Sequence, residues 1–164
     1  MIFPQVILMG IALVPVVLIE SAIVRKPMAV RFPKVLLDVG LANVCTTLIG
    51  VPLAWGAMLG LSLLTTGGHA LGMSTPARML AAVTLQAAWL VPYEDHLFWM
   101  IPAAATALLI PCFVASVIIE RWVLAWRWRD QECRAVFNAV LRANVWSYVF
   151  LFTAGSVWLI LSLR

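Results

Sequence analysis

Four long apolar runs, separated by two short basic turns and one glycine-rich tract, organise the chain. The first extends from about Ile2 to Val24 and stops at "RKP", and the turn "RKPMAVRFPK" leads into a second from about Val35 to Leu64. The tract "TTGGHALGMSTP" breaks the pattern with glycines and a proline. In "STPARMLAAVTLQAAWLVP", Thr75 is placed to cap and Pro76 to open a short helix over about 76–91 that halts at Pro92. A third long run covers Leu97 to Val123, "WRWRDQECR" forms a polar turn, and Ala135 to Leu163 makes the fourth. Crossing a hydrocarbon core of about 30 Å takes roughly 20 apolar residues. Each long run therefore predicts a transmembrane helix, the third with kinks at Pro102 and Pro111, whereas the 76–91 segment is too short to cross comfortably. The runs are continuous rather than alternating, which argues against a β-barrel.

Superimposed on these runs is a repeat. "VLIESAIV" aligns without a gap on "VIIERWVL", bringing Glu20 onto Glu120. Beyond each basic turn comes "ANVCT" or "ANVWS", with Asn43 lying 23 residues after Glu20 and Asn144 lying 24 after Glu120. On a helix, Asn43 and Thr46, or Asn144 and Ser147, share a face because positions three apart are neighbours. Helical rise puts Glu20 and Asn43 at comparable depth above their turn, so each half reads as a hairpin in which a glutamate faces an asparagine.

Composition makes the membrane reading firm. Of 164 residues, 64% are hydrophobic and 11% charged, with a mean hydropathy of +1.03, too few polar groups for a water-facing surface of that size. The net charge of +4 sets orientation rather than pointing to nucleic acid. Nine of the eleven basic residues flank the two turns: Arg25, Lys26, Arg31 and Lys34 at the first, and Arg121, Arg127, Arg129, Arg134 and Arg142 at the second. The positive-inside rule places both turns in the cytoplasm. If residues 76–91 crossed, one cluster would be forced outside, so that segment is expected to lie in the interface or re-enter. Trp122, Trp126 and Trp128 are expected to mark the cytoplasmic headgroup level, and Trp89, Trp99 and Trp158 the outer one. The N-terminal run lacks a basic flank and a small-residue cleavage site, and reads as a retained span. Cys45, Cys112 and Cys133 suggest neither a disulfide framework nor a zinc site.

The predicted architecture is an all-α integral membrane protein. Four transmembrane helices form two similar hairpins, 1–65 and 97–164, as a parallel internal repeat. An outer-face segment, 66–96, joins them and carries the short helix. The candidate site residues are Glu20, Asn43, Thr46, Glu120, Asn144 and Ser147. They serve either as a polar clamp fixing helix packing or as proton carriers or cation ligands, because intramembrane carboxyls must face protein or water. The clamp is favoured, since no third buried acid continues a relay outward, and Arg25 or Arg121 is a candidate neighbour for the glutamates. Gly56-x-x-x-Gly60 is a helix-contact motif that serves packing within the chain or against another subunit.

His69 and His96 stand near Met73, Met79 and Met100 without metal-ligand spacing, no span holds a histidine for haem, and "YEDH" reads as a solvated turn. No metal site, cofactor or catalytic set is expected, and bound lipid is compatible with the pattern. The expected function is an accessory or scaffolding subunit of a larger plasma-membrane complex. The alternative is a small oligomeric transporter or proton- or ion-conducting component using Glu20 and Glu120. The expected partners are the lipid bilayer and other membrane subunits, and the expected location is the bacterial inner membrane, with several crossings and both termini outside.

Overall fold

A computed structural model describes residues 2–28, 30–86 and 91–164, apart from the side chains of 2–9, 91, 92 and 94. All regular structure among the described residues is helical. In chain order it comprises α1 (Ile2–Met28), α2 (Phe32–Cys45), a π-helical turn (Thr46–Gly50), α3 (Val51–Thr66), α4 (Pro76–Leu85), a 3-10 segment (Val91–His96), α5 (Leu97–Arg127) and α6 (Cys133–Ser162). Among the described residues three helices are long and apolar enough to cross a membrane: Phe32–Thr66, which joins α2 to α3 through the π turn, α5 and α6. At 10 residues, α4 is about 15 Å long, half the hydrocarbon thickness.

Helix ends depart from the edges of the apolar runs. α1 continues through Arg25, Lys26 and Pro27 to Met28, and α5 continues to Arg127. Charged residues end a hydrophobic run without ending a helix, because their long side chains reach water while the backbone stays hydrogen-bonded. α4 stops at Leu85 instead of reaching Val91. Gln86 leaves helical geometry (φ −107°, ψ 16°), and its side chain is engaged by the preceding loop. The start of α4 has Thr75 Oγ1 accepting from the Arg78 N–H at 3.3 Å, with Pro76 as first helical residue. Beyond α3, Gly67 and Gly68 take φ of 61° and 79°, a left-handed turn that only glycine enters without strain.

The chain divides into two compact units that cut across the segments 1–65 and 97–164. One takes the chain up to Gly50 together with Phe113–Leu151, and the other takes Val51–Cys112 and Phe152–Arg164. In the first, the core draws on four helices: Val24 and Met28 of α1, Val35, Val39 and Ala42 of α2, Val123 and Leu124 of α5 with Trp128 just beyond its end, and Val136, Ala139, Val140 and Ala143 of α6. Gly50 closes the π turn against Ile119, where an added Cβ would lie 3.2 Å from that side chain's tip.

In the second unit, Ala82, Val83, Tyr93, Met100 and Ala104 form a smaller core. There α6 approaches α5 at Gly155, where a Cβ would come within 2.8 Å of Thr106 Oγ1. That hydroxyl is already bonded to the Pro102 carbonyl at 2.8 Å. Gly155→Ala is therefore expected to cost about 1–3 kcal/mol by overpacking. Gly56→Ala, whose Cβ meets nothing within 4 Å, is expected to leave the fold at least as stable. Unfolding of both variants in detergent checks this, and equal losses would refute the close approach.

Candidate functional site

Buried positions on the first unit's helices recur at helical spacing. On α1 they include Val16, Glu20, Val24 and Met28, and on α5 Ser116, Glu120 and Leu124, with Trp128 continuing the same row just past its end, each set one turn apart on a single face. Each face carries one glutamate, at 1% and 3% exposure respectively. Such a group is stable there only if other side chains satisfy it.

Glu20 Oε2 accepts from Asn43 Nδ2 at 2.5 Å, and Glu120 Oε2 accepts from Asn144 Nδ2 at 2.7 Å. Both asparagines also donate to the carbonyl one turn back, Asn43 to Val39 at 3.1 Å and Asn144 to Val140 at 3.2 Å. The two amides are thus oriented identically. Ser147 changes the picture of two separate clamps. Its hydroxyl donates to Glu20 Oε1 at 2.6 Å, linking residues 127 apart in sequence, so α6 holds Glu120 through Asn144 and Glu20 through Ser147. Thr46, at the corresponding place after Asn43, lies against the Glu120 carboxyl, yet its buried Oγ1 has no hydrogen bond of ordinary geometry. The six residues therefore make one cluster, with α6 bonded to both glutamates. Ser21 Oγ and Asn144 Oδ1 are also buried without a partner.

Neither arginine considered as a neighbour serves the glutamates. The Arg25 guanidinium stacks over Phe32 at 5.4 Å and Arg121 over Phe137 at 5.2 Å. Both pairs are cation–π contacts at the exposed start of a hairpin's second helix. Among the described residues, neither Glu20 nor Glu120 has an ion-pair partner.

A third buried acid does exist. Asp38 is fully buried and holds Arg127 (Nε at 2.8 Å, Nη2 at 2.7 Å) and the Trp128 indole N–H at 2.6 Å. Because these partners lie close to the turn after α5, Asp38 anchors α2 to that end of α5 and extends no relay outward. Trp128 is consequently a core residue at 4% exposure, not a member of a headgroup belt; Trp122 and Trp126 remain exposed. An indole leaves the surface when its N–H has a buried acceptor, as here. The sequence signal for Asp38 was its isolation within "VLLDVGL", whereas Glu20 was marked by the repeat. Further along, Ser116 and Tyr148 share a hydrogen bond at 2.7 Å, and Tyr148 meets Phe113 edge-on at 5.2 Å.

Among the described residues, an added Cβ at either helix-contact glycine, Gly56 or Gly60, meets no atom within 4 Å.

In the second unit Gln86 organises the loop before α4. It accepts from the Leu71 N–H at 3.2 Å and donates to the His69 carbonyl at 2.8 Å, while the Tyr93 hydroxyl lies against Gln86 Oε1 and the Leu71 carbonyl. Burial raises the Tyr93 phenol above its ordinary value, so it stays a donor. Tyr93→Phe is expected to cost about 1 kcal/mol by taking the hydroxyl from the Leu71 carbonyl and leaving Gln86 Oε1 with the Leu71 N–H alone. It should speed amide exchange at Leu71, and unchanged exchange there would refute the tie. His69 and His96 are exposed while Met100 is buried. Among the described residues no group of three or more His, Cys, Asp or Glu could hold a metal. Trp89 and the Glu94 side chain lie outside the described residues.

Compared with known proteins, the chain matches no family model, no curated protein and no solved structure.

Proposed function

We propose that the chain is an accessory or scaffolding transmembrane subunit of a larger plasma-membrane complex, in a bacterial inner membrane. The observation that carries this reading is how the polar side chains are used. Glu20, Asn43, Ser147, Glu120, Asn144, Asp38, Arg127 and Trp128 are engaged in bonds between helices. The outward face stays apolar, with Leu37, Leu48, Ile110 and Ile118 more than 60% exposed. Gly56 and Gly60, where an added Cβ meets no atom of the described residues within 4 Å, suit close contact with another helix.

The architecture that fits is four crossings in two hairpins of parallel orientation, with both basic turns cytoplasmic and both termini outside. α1, at 27 residues, is long enough for the fourth crossing. Burial supports the repeat. Val35, Val39, Ala42, Asn43 and Thr46 are buried, and so are their counterparts Val136, Val140, Ala143, Asn144 and Ser147. A cysteine placed beside Arg31 or Arg129 in a version lacking the native cysteines should resist an impermeant thiol reagent on intact cells. Labelling at either site would overturn the topology.

Cross-linking in the membrane, followed by gentle-detergent purification, tests the function. A defined second chain in fixed proportion is expected, with Gly56→Ala weakening the assembly while leaving the fold intact. Recovery of the chain alone would overturn the scaffold reading. One observation favours the second reading, a small oligomeric transporter or proton- or ion-conducting component: the two carboxyls meet in one cluster instead of serving separate clamps.

A further inference from the structure

Glu20 and Glu120 sit on different helices, yet α6 holds both. Asn144 and Ser147 are three residues apart on one face, about 5–6 Å between their Cβ atoms, and each donates to one glutamate at under 3 Å. The carboxyls are thereby fixed close together, away from water, at 1% and 3% exposure. If both were ionised, two negative charges would share a low-dielectric space, and each would bear the cost of leaving water without the other's help.

Among the described residues the surroundings offer no counter-charge. On α1 the next charged residue, Arg25, is exposed and stacked on Phe32. On α2, Asp38 is committed to Arg127 and Trp128, and Cys45 is partly buried. The π turn contributes Thr46. On α5, Arg121 is exposed and stacked on Phe137. On α6, Arg142 is exposed and Tyr148 is bonded to Ser116. Carboxyl groups that share a site under such conditions ionise one at a time, so the pair retains a proton.

The hydrogen bonds say which group retains it. Both Glu20 oxygens accept, Oε2 from Asn43 and Oε1 from Ser147, which is how a carboxylate is satisfied. Glu120 accepts from Asn144 at Oε2. Beside it stands Thr46, whose Oγ1 is buried and lacks a partner. A protonated Glu120 has an O–H to give, and Thr46 Oγ1 has lone pairs to receive it.

We propose that Glu20 and Glu120 form one proton-binding site, with a single exchangeable proton carried by Glu120 and received in a hydrogen bond by Thr46, and with Glu20 as the ionised partner. The O–H bond forms with a proton from bulk water and breaks by returning it there. The inference rests on the site of the second reading above, but it does not require net transport.

Difference infrared spectroscopy of the full chain in liposomes tests it. At neutral pH one protonated carboxyl per chain is expected, seen as a C=O band that shifts in heavy water. Glu120→Gln should abolish that band. Thr46→Val, which keeps the side chain's shape, should retain the band and move it to higher frequency because its hydrogen bond is lost. No protonated carboxyl at neutral pH, or a band that survives Glu120→Gln, would overturn the proposal. A band removed by sodium but not by choline would also overturn it, in favour of a cation site. Proton flux across the same liposomes is a separate readout: a band without flux leaves the proton site standing and removes conduction.

Discussion

Replacing Glu20 with leucine is expected to destabilise the protein about twice as much as the same change at Glu120. Glu20 takes two side-chain hydrogen bonds, from Asn43 at 2.5 Å and from Ser147 at 2.6 Å. Leucine removes both bonds in an interior where Ser147 and Asn43 are almost fully buried, leaving the Ser147 hydroxyl only the Asn144 carbonyl and the Asn43 amide only the Val39 carbonyl. Glu120 takes one bond from a seated donor, Asn144, and losing its own O–H bond to Thr46 leaves a hydroxyl that can turn to a carbonyl of its own helix instead. At about 1 kcal/mol per lost interhelical bond in a membrane interior, the losses are about 2 and about 1 kcal/mol. Glutamine at either position keeps the length and an acceptor oxygen, so each Gln variant should stay within about 1 kcal/mol of the parent. Detergent-denaturation curves followed by tryptophan fluorescence would measure this order. Equal losses at the two glutamates would mean that the Ser147 bond contributes nothing to holding the helices together.

That bond also marks the limit of what the sequence discloses. The Glu–Asn spacing of 23 and 24 residues can be converted to depth because both partners flank one short turn, so helical rise relates them. Ser147 and Glu20 are 127 residues apart, and no periodicity relates their depths or faces. The same holds for Asp38, whose partners stand 89 and 90 residues away. Its solitary place in an apolar run was readable, but its partner was not. The long helices were legible from their apolar runs, and their ends were not, because Arg25, Lys26 and Arg127 continue a helix while ending a hydropathy pattern. Tryptophan frequency near a turn suggested a headgroup belt for three residues. It could not separate Trp128, whose N–H meets a buried carboxylate, from Trp122 and Trp126, whose indoles stay outside. The open space at Gly56 and Gly60 was likewise unreadable, since a small-residue motif looks the same whether its groove is filled or empty.

At the Asp38 anchor, removing the cation is expected to cost more than removing the anion's charge. Asp38 is at 1% side-chain exposure and Arg127 at 41%. In Arg127→Met the carboxylate stays buried with one remaining donor, the Trp128 N–H. An uncompensated buried charge of this kind costs about 3–5 kcal/mol when fully enclosed, and the half-exposed position of Arg127 lets water screen it, which lowers the expected loss to about 2 kcal/mol. In Asp38→Asn the amide oxygen can still accept from the indole and the guanidinium turns to water, so about 1 kcal/mol or less is lost. Unfolding of the two variants in the same detergent, with the single-wavelength fluorescence of Trp128 as a local probe in a background lacking the other tryptophans, separates them. A larger loss in Asp38→Asn than in Arg127→Met would show that the aspartate acts mainly through geometry only a carboxylate can offer to the indole and guanidinium together. The buried charge would then not be what ties α2 to the end of α5.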